Sequence, residues 1–298
     1  MRDPLPPRRL LVIFNPAAGW RRRQRLAPVL AQLEDRGCRL VLRETEGPGD
    51  AERFAAEADP TEVDLVVAAG GDGTVNEIVN GLARSGLPLA LIPLGTANVL
   101  AAEIGLEVEP GAIASAIASG QPRPIALGTA NGRRFILMAG AGFDAHVVNE
   151  VSVPMKRWLG KGAYLASTLR QLFAFGFPTY QVRTDNRTWR AASVIVANAR
   201  FYGGKFLCAP KARLGSDTLQ VCLFERGGRL AVLGYGLALL TGRLPRLSSY
   251  RIVEARRVEI RGTPGEPLQG DGDIIGTLDA SIEILPAALR LIHPPGFS

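Results

Sequence analysis

Asp64-Leu65-Val66-Val67-Ala68-Ala69 runs directly into Gly70-Gly71-Asp72-Gly73-Thr74, and a stretch with helical spacing follows to Arg84. A short, continuously apolar run is what a strand buried on both faces looks like. Strand, glycine turn and helix in that order make one βα unit of a parallel sheet, and the flanking sequence repeats the unit. Leu10 to Phe14 predicts a first buried strand, and Arg21 to Glu34 a helix that Gly37 ends. Arg39 to Thr45 predicts a second strand and Asp50 to Ala58 a helix, with Pro60 after it. Leu89 to Ile92 predicts a fourth strand, Ala97 to Glu103 a short helix, and Glu109 to Ser119 another with Pro110 in its first turn. This βαβα order predicts a parallel sheet with helices on both sides.

The 70–74 turn suits a phosphate. Glycines let the backbone approach an anion, and the N–H groups and dipole of the following helix face it. Asp72 adds a carboxylate that can hold a phosphate-bound metal, directly or through water. The bland alternative is a tight turn whose glycines only supply positive φ, and the turn alone does not choose. Two more strand ends do. Asn15-Pro16-Ala17-Ala18-Gly19 follows strand one, and Pro93-Leu94-Gly95-Thr96-Ala97-Asn98 follows strand four. All three turns fall at carboxyl ends of parallel strands, where open α/β sheets bind ligands. No GxxxxGK[ST] occurs, so a P-loop is excluded, and Gly140-Ala141-Gly142 lacks the third glycine of a dinucleotide fingerprint.

Beyond Gln121-Pro122-Arg123-Pro124, which reads as a linker, the pattern changes to short strands. Phe135 to Met138, Tyr180 to Thr184, Ser193 to Ala197, Leu219 to Phe224, Arg251 to Arg261 and Ser281 to Leu285 read this way. Turn signals at Asp185-Asn186, Gly203-Gly204, Gly227-Gly228 and Asp271-Gly272 separate them. The expectation is two domains: a nucleotide-binding α/β domain over 1–121, onto which the extreme C-terminus packs back, and a mostly antiparallel β-sandwich over 122–298 with a helix near 156–175.

Asn15-Pro16-x-x-Gly19, Gly70-Gly71-Asp72-Gly73-Thr74-x-Asn76-Glu77-x-x-Asn80-Gly81 and Pro93-x-Gly95-Thr96-x-Asn98 together resemble the diacylglycerol kinase catalytic domain. That superfamily includes bacterial lipid kinases, sphingosine kinases and ceramide kinases, and it shares its fold with NAD kinases. The likeness continues through Gly142-Phe143-Asp144-Ala145, Ala209-Pro210-x-Ala212 and Asp271-Gly272-Asp273, nearly the whole chain. It implies a two-domain, ATP-dependent lipid kinase acting in phospholipid metabolism, with diacylglycerol as first-choice acceptor and Mg²⁺ as the metal. The nucleotide is expected in the cleft between the domains. Matched position by position, Asn15, Pro16, Ala17, Ala18, Gly19, Thr45, Gly70, Gly71, Asp72, Gly73, Thr74, Val75, Asn76 and Thr96 are the ATP contacts. Asp273 falls where the family carries an acidic general base, usually Glu, and Asp271 with Asp72 completes an acidic cluster around Mg²⁺.

The chain departs from that pattern in places. Ala126 stands where bacterial members often carry Asp, and Met138 replaces a polar residue. A second metal site in the bacterial branch uses an Asp-Gly pair that here is Ser216-Asp217; Asp217, with carbonyls of Arg213 and Thr218, is the candidate replacement. Two other functions stay open: an NAD kinase-like enzyme, although its second Gly-Thr-Asp signature is missing, and a catalytically weak nucleotide- or lipid-binding protein.

Composition narrows the class. The 298 residues carry a net charge of +7, which favours phosphates or an anionic membrane surface as partners. No RNA-recognition, zinc-finger or helix-turn-helix pattern occurs, so nucleic acid is not expected. Cys38, Cys208 and Cys222 are odd in number and form no CxxC, which predicts reduced cysteines in a cytoplasmic protein. No apolar run approaches the roughly 20 residues of a membrane-spanning helix, so membrane contact is expected to be peripheral. A homodimer is left open. Arg21, Arg22, Arg23 and Arg25 can touch phosphates or a membrane, but a solvated helix face is the favoured reading. Lys156 to Phe177 mixes Lys156, Arg157, Lys161 and Arg170 with Trp158, Tyr164, Phe173, Phe175 and Phe177, which suits either an interfacial helix or a core helix. His146 and His293 read as structural, and no GxSxG nucleophile motif is present.

Overall fold

The computed structural model describes residues 8–16, 20–150, 161–185 and 187–296, with the side chains of all but 20, 21 and 161–166. Ala17, Ala18 and Gly19 of the first turn, Lys156, Arg157 and Trp158, and Asn186 lie outside the described residues, as do the side chains of Arg21, Lys161 and Tyr164. The chain divides into two compact units, residues 1–125 with 287–298, and residues 126–286.

In the first unit, β1 (Arg9–Phe14), α1 (Trp20–Asp35), β2 (Arg39–Glu44), α2 (Asp50–Ala56), β3 (Leu65–Gly70), α3 (Asp72–Gly81), β4 (Leu89–Pro93), α4 (Val99–Glu103) and α5 (Pro110–Ser119) follow one another. The strands run parallel in the order β2-β1-β3-β4. Every residue of β3 and β4 is buried, as their unbroken apolar runs require. Side chains alternate between the sheet's faces. Leu10, Val12, Phe14, Leu65 and Val67 therefore pack with Leu26, Val29 and Leu33 of α1 and Ile113 and Ile117 of α5. Ile13, Val66 and Ala68 are buried on the opposite face, and α2 and α3 pack together. Truncating a fully buried side chain here, such as Leu65 or Ile92, to Ala costs ~2–5 kcal/mol. The sequence near the C-terminus supplies one more parallel neighbour, Leu291 pairing with Leu89.

The second unit is built from β5 (Pro122–Ala130), β6 (Arg133–Phe135), β7 (Met138–Ala141), α6 (Phe143–Glu150), α7 (Lys161–Ala174), β8 (Tyr180–Thr184), β9 (Thr188–Ala191), β10 (Ser193–Ala197), β11 (Phe201–Tyr202), β12 (Phe206–Leu207), β13 (Leu219–Phe224), α8 (Arg229–Leu240), β14 (Tyr250–Ala255), β15 (Arg257–Arg261), β16 (Pro267–Gly270), β17 (Asp273–Thr277) and β18 (Ala280–Ile292). Residues up to 125 in β5 and from 287 in β18 belong to the first unit. One antiparallel sheet has the order β14-β13-β10-β7-β16-β17. The other layer runs β18-β15-β8-β9, with β5 and β6 attached. Alternate residues of both layers, among them Phe135, Tyr180, Val194, Val221, Val258 and Ile282, form one buried core.

The structure revises several expectations. Residues 121–124 are no linker, because β5 starts at Pro122. The expected strand from Arg251 to Arg261 is two strands in different sheets, broken at Arg256. Asp185 holds the break, its carboxylate accepting from the Arg256 N–H at 2.7 Å and the Arg257 N–H at 2.9 Å. No glycine, proline or asparagine marks the break, which is why the sequence hides it. Two helices, α6 and α8, were not anticipated, since α6 is short and α8 carries Gly234 and Gly236. No described helix is long and apolar enough to cross a membrane. The three cysteines are buried and form no disulfide.

Candidate functional site

The carboxyl ends of β1, β3 and β4 hold their turns against one another. Asn15 donates its N–H to the Ala69 carbonyl at 3.0 Å, and Leu94 donates to the Gly70 carbonyl at 2.8 Å. The Asn15 amide donates to Thr74 Oγ1 at 3.0 Å, which ties the first turn to the start of α3. A Cβ built on Gly71 would lie 3.2 Å from the Gly95 Cα, so the second and third turns touch backbone to backbone. Thr45, buried, donates its N–H to the Phe14 carbonyl at 2.9 Å beside the same edge.

Helix α3 begins at Asp72, and no side chain caps it. Its first-turn N–H groups and the positive end of its dipole thus stand at the glycine turn, the arrangement that receives an anion. Asn98 sits in the left-handed region at φ 47° and donates from Nδ2 to the Gly95 carbonyl at 2.9 Å. Its Oδ1 is buried without a hydrogen-bond partner, an acceptor a ligand donor can satisfy. Asp72 Oδ1 accepts weakly from the Leu100 N–H at 3.4 Å. Uncapped amides at a glycine turn that opens a helix fit a phosphorylated ligand.

Of the sequence-assigned contacts, Asn15, Gly70, Gly71, Asp72 and Thr74 are brought together here. Thr96 is exposed. Val75 and Asn76 are each 5% exposed, so their side chains belong to the interior, Asn76 Oδ1 accepting from Asn80 Nδ2 at 3.3 Å. Of the arginines of α1, Arg23 and Arg25 are exposed, as a solvated face requires, and Arg22 is half-buried. Arg22 Nη1 donates to the Asn15 carbonyl at 3.1 Å, Arg25 Nη2 to the Pro93 carbonyl at 2.9 Å, and Arg23 pairs with Glu44 at 2.5 Å. Burial, and then the neighbouring Arg25, hold the Arg22 guanidinium below its ordinary pKa. Its Nε is buried without a partner. Arg spacing alone could not reveal this, because it depends on α1 lying across the strand ends.

In the second unit, Asp271-Gly272 turns β16 into β17, with φ 53° and 86°. Asp271 has a different task from the metal role assigned to it. Its carboxylate accepts from the N–H groups of Ile136 (2.7 Å), Leu137 (2.8 Å) and Met138 (3.0 Å), which anchors the turn to β7. Asp273 is the first residue of β17 and is exposed. Behind it lies a network the sequence reading missed. Gly272 donates to Gln269 Oε1 at 3.0 Å, Gln269 Nε2 donates to Asp144 Oδ2 at 2.8 Å, and Tyr202 donates its hydroxyl to Asp144 Oδ1. Burial pushes the Asp144 carboxyl above the ordinary range, and the two donors pull against that rise. Gly140 packs tightly against this pair, since a Cβ there would come within 3.1 Å of Gln269 Nε2. The motif containing Asp144 was visible, but its link to Gln269 spans 125 positions.

The second metal site does not fit as arranged. A divalent cation needs oxygens open to it. Asp217 is paired with Arg256, the Arg213 carbonyl accepts from the Ser216 N–H at 2.9 Å, and Ser216 Oγ lies 3.2 Å from Thr218 Oγ1. The Asp217 carboxylate, the one charged donor of the set, thus faces a guanidinium. No group of three or more Asp, Glu, His or Cys side chains among the described residues could hold a metal. At Ala126, the position of the absent family carboxylate, the buried backbone is bonded to the Leu214 carbonyl and Asn198 Nδ2. Asp72 does fit a metal held jointly by one carboxylate and substrate phosphates.

Residues 9–130 match the family model described as diacylglycerol kinase catalytic domain, and residues 138–293 match the YegS C-terminal NAD kinase beta sandwich-like domain. A Pseudomonas putida protein named "Probable lipid kinase YegS-like" is 32% identical over 276 residues, 90% of this chain and 90% of its own. The Bacillus subtilis protein named "Diacylglycerol kinase" is 28% identical over 293 residues, 96% and 97% of the two chains. The crystal structure of a diacylglycerol kinase from Bacillus anthracis superimposes with a TM-score of 0.77 at 25% identity, covering 98% of this chain and 99% of that one. With both halves matched and the strand-end turns assembled, the chain belongs to the diacylglycerol kinase family of lipid kinases, in its YegS-like branch.

Proposed function

We propose that the chain transfers the γ-phosphoryl group of ATP to a lipid hydroxyl, with diacylglycerol as the acceptor and phosphatidic acid as the product. The observation that carries this reading is the joined edge of Asn15, Gly71, Thr74 and Gly95 at the uncapped start of α3. Backbone amides of the turn bind the phosphates and orient the γ-phosphorus. The lipid oxygen attacks that phosphorus, a new P–O bond forms, the bond to the β–γ bridging oxygen breaks, and ADP leaves with the electron pair. Asp273 accepts the hydroxyl proton as it is lost. When bound, Mg²⁺ supplies charge neutralisation at the phosphates, and Asp72 is the residue that would hold it. Asp271 and the Asp144–Gln269 pair keep the turn before Asp273 in place.

A radiolabelled-ATP assay against diacylglycerol, monoacylglycerol, sphingosine and ceramide in mixed micelles tests this. Label in phosphatidic acid is the expected result. Label in no lipid, from protein that is folded and binds ATP, sinks the proposal. It would favour a second reading, a nucleotide-binding protein of weak catalysis, for which Ala126 and the Asp217–Arg256 ion pair speak.

A further inference from the structure

Helix α8 turns an apolar stripe outward. Leu230, Leu233, Leu237 and Leu240 recur at helical spacing and are all exposed, Leu230 by 85% and Leu237 by 66%. Tyr235 and Ala238, on the other side, are the positions buried in the protein. Neighbouring α7 extends the stripe with Phe173, 66% exposed, and Leu169. Arg229 joins the two helices, its guanidinium 5.1 Å from the centre of the Phe173 ring and Nη2 donating to the Phe173 carbonyl at 3.4 Å. Four exposed leucines on one helical face are costly in water and mark an interaction surface.

Charge selects the partner. From Arg226 to Val253 the chain has Arg226, Arg229, Arg243, Arg246 and Arg251 and no Asp or Glu. Arg251 pairs with Glu225, whereas Arg226, Arg243 and Arg246 are exposed and enter no ion pair among the described residues. A second copy docked by a two-fold axis would bring this basic rim against itself. With 12 residues, α8 is too short to span a bilayer and suited to lying in its surface. We infer that α8, with the exposed end of α7, is a docking surface for anionic lipid bilayers. The leucines enter the headgroup–acyl boundary, and the arginines meet lipid phosphates. This deepens the lipid kinase reading by placing the enzyme on the phase that holds its acceptor.

Flotation of the full chain with vesicles, without ATP, tests docking apart from catalysis. Phosphatidylcholine vesicles are compared with vesicles holding about 30 mol% phosphatidylglycerol. Wild type is expected to partition onto the anionic vesicles, and more weakly at high salt. L233S/L237S should lose at least about tenfold on both compositions. R243Q/R246Q should lose about tenfold on anionic vesicles alone and lose most of the salt dependence. Retained ATP binding and an unchanged melting temperature show that the variants are folded. Wild type that floats with neither vesicle, or variants that float like wild type, overturn the inference. So does a dimer in sedimentation that the leucine variant dissolves while vesicle binding persists, which would assign the stripe to a second copy. None of these results bears on phosphoryl transfer from ATP to lipid in micelles, and loss of that activity would leave docking standing.

Discussion

Gly95 and Gly71 meet so closely that a Cβ on Gly95 would sit 2.5 Å from the Gly71 Cα. The Gly71 Cα is backbone and a Cβ is fixed by its own backbone, so no rotamer change relieves the clash. Gly95→Ala must push the turns apart. The expected outcome is a loss of ~1–3 kcal/mol of stability from overpacking. ATP affinity should fall at least about tenfold as the turn amides leave register. Gly236→Ala has open space around it and lies in a helix, so it should stabilise by ~0.5–1 kcal/mol. Melting curves and calorimetric ATP titration on both variants check this, and equal behaviour would refute the close contact.

Asp271 and Asp273 are two positions apart and should separate cleanly. Asp271→Asn puts an NH₂ group among three backbone donors and should cost ~1–3 kcal/mol, whatever happens to activity. Asp273→Asn, at an exposed position, should leave the melting temperature unchanged and lower kcat about 10²- to 10⁴-fold. An Asp273→Asn enzyme with normal kcat would remove the residue from the chemistry.

Asp144 sets a pH dependence whose sign follows from its raised pKa. Between the ordinary carboxylate range and its folded value, the native state binds more protons than the unfolded chain. Stability from this group is complete below that window and is lost as pH rises through it. Asp144→Asn should flatten the decline, because it cannot ionise and its amide can still accept from Gln269 while the Tyr202 hydroxyl rotates to accept. Asp144→Ala should instead leave Gln269 Nε2 unsatisfied and cost ~1–3 kcal/mol across the range. Denaturant titrations from acid to neutral pH read both effects. A parallel decline in wild type and Asp144→Asn would show that another group is responsible.

Arg22 is held beside the Asn15 turn with its charge disfavoured by burial and by Arg25. An anion at the turn relieves that disfavour. Arg22→Met should therefore lower ATP affinity about tenfold and weaken its salt dependence, with little change in melting temperature. Unaltered affinity would make Arg22 a structural tether only.

The parallel sheet was legible because β3 and β4 are buried throughout and announce it by unbroken apolar runs. The strand-end turns were legible because glycine and polar residues recur there. What stayed hidden depended on distant partners. The break at Arg256 is made by Asp185, the anchoring of Asp271 by the amides of Ile136 to Met138, and the capture of Asp217 by Arg256. A carboxylate reads the same in sequence whether it meets a metal, an amide or a guanidinium. Helix α8 was recognisable only as an uncharged stretch, since its apolar face turns away from the core rather than toward it.

Residues 126–286 interrupt a unit whose sequence resumes at 287, where Leu291 pairs with Leu89. In genetic terms the β-rich part is an insert within the parallel-sheet part, not an appendage to it. A gene fragment ending at residue 125 would encode a sheet lacking its final neighbour and leave Leu89 with an open edge. Exchange of the β-rich part between relatives thus calls for two crossovers, one on each side of the insert, and a single crossover near residue 121 would yield chimaeras with a mismatched strand.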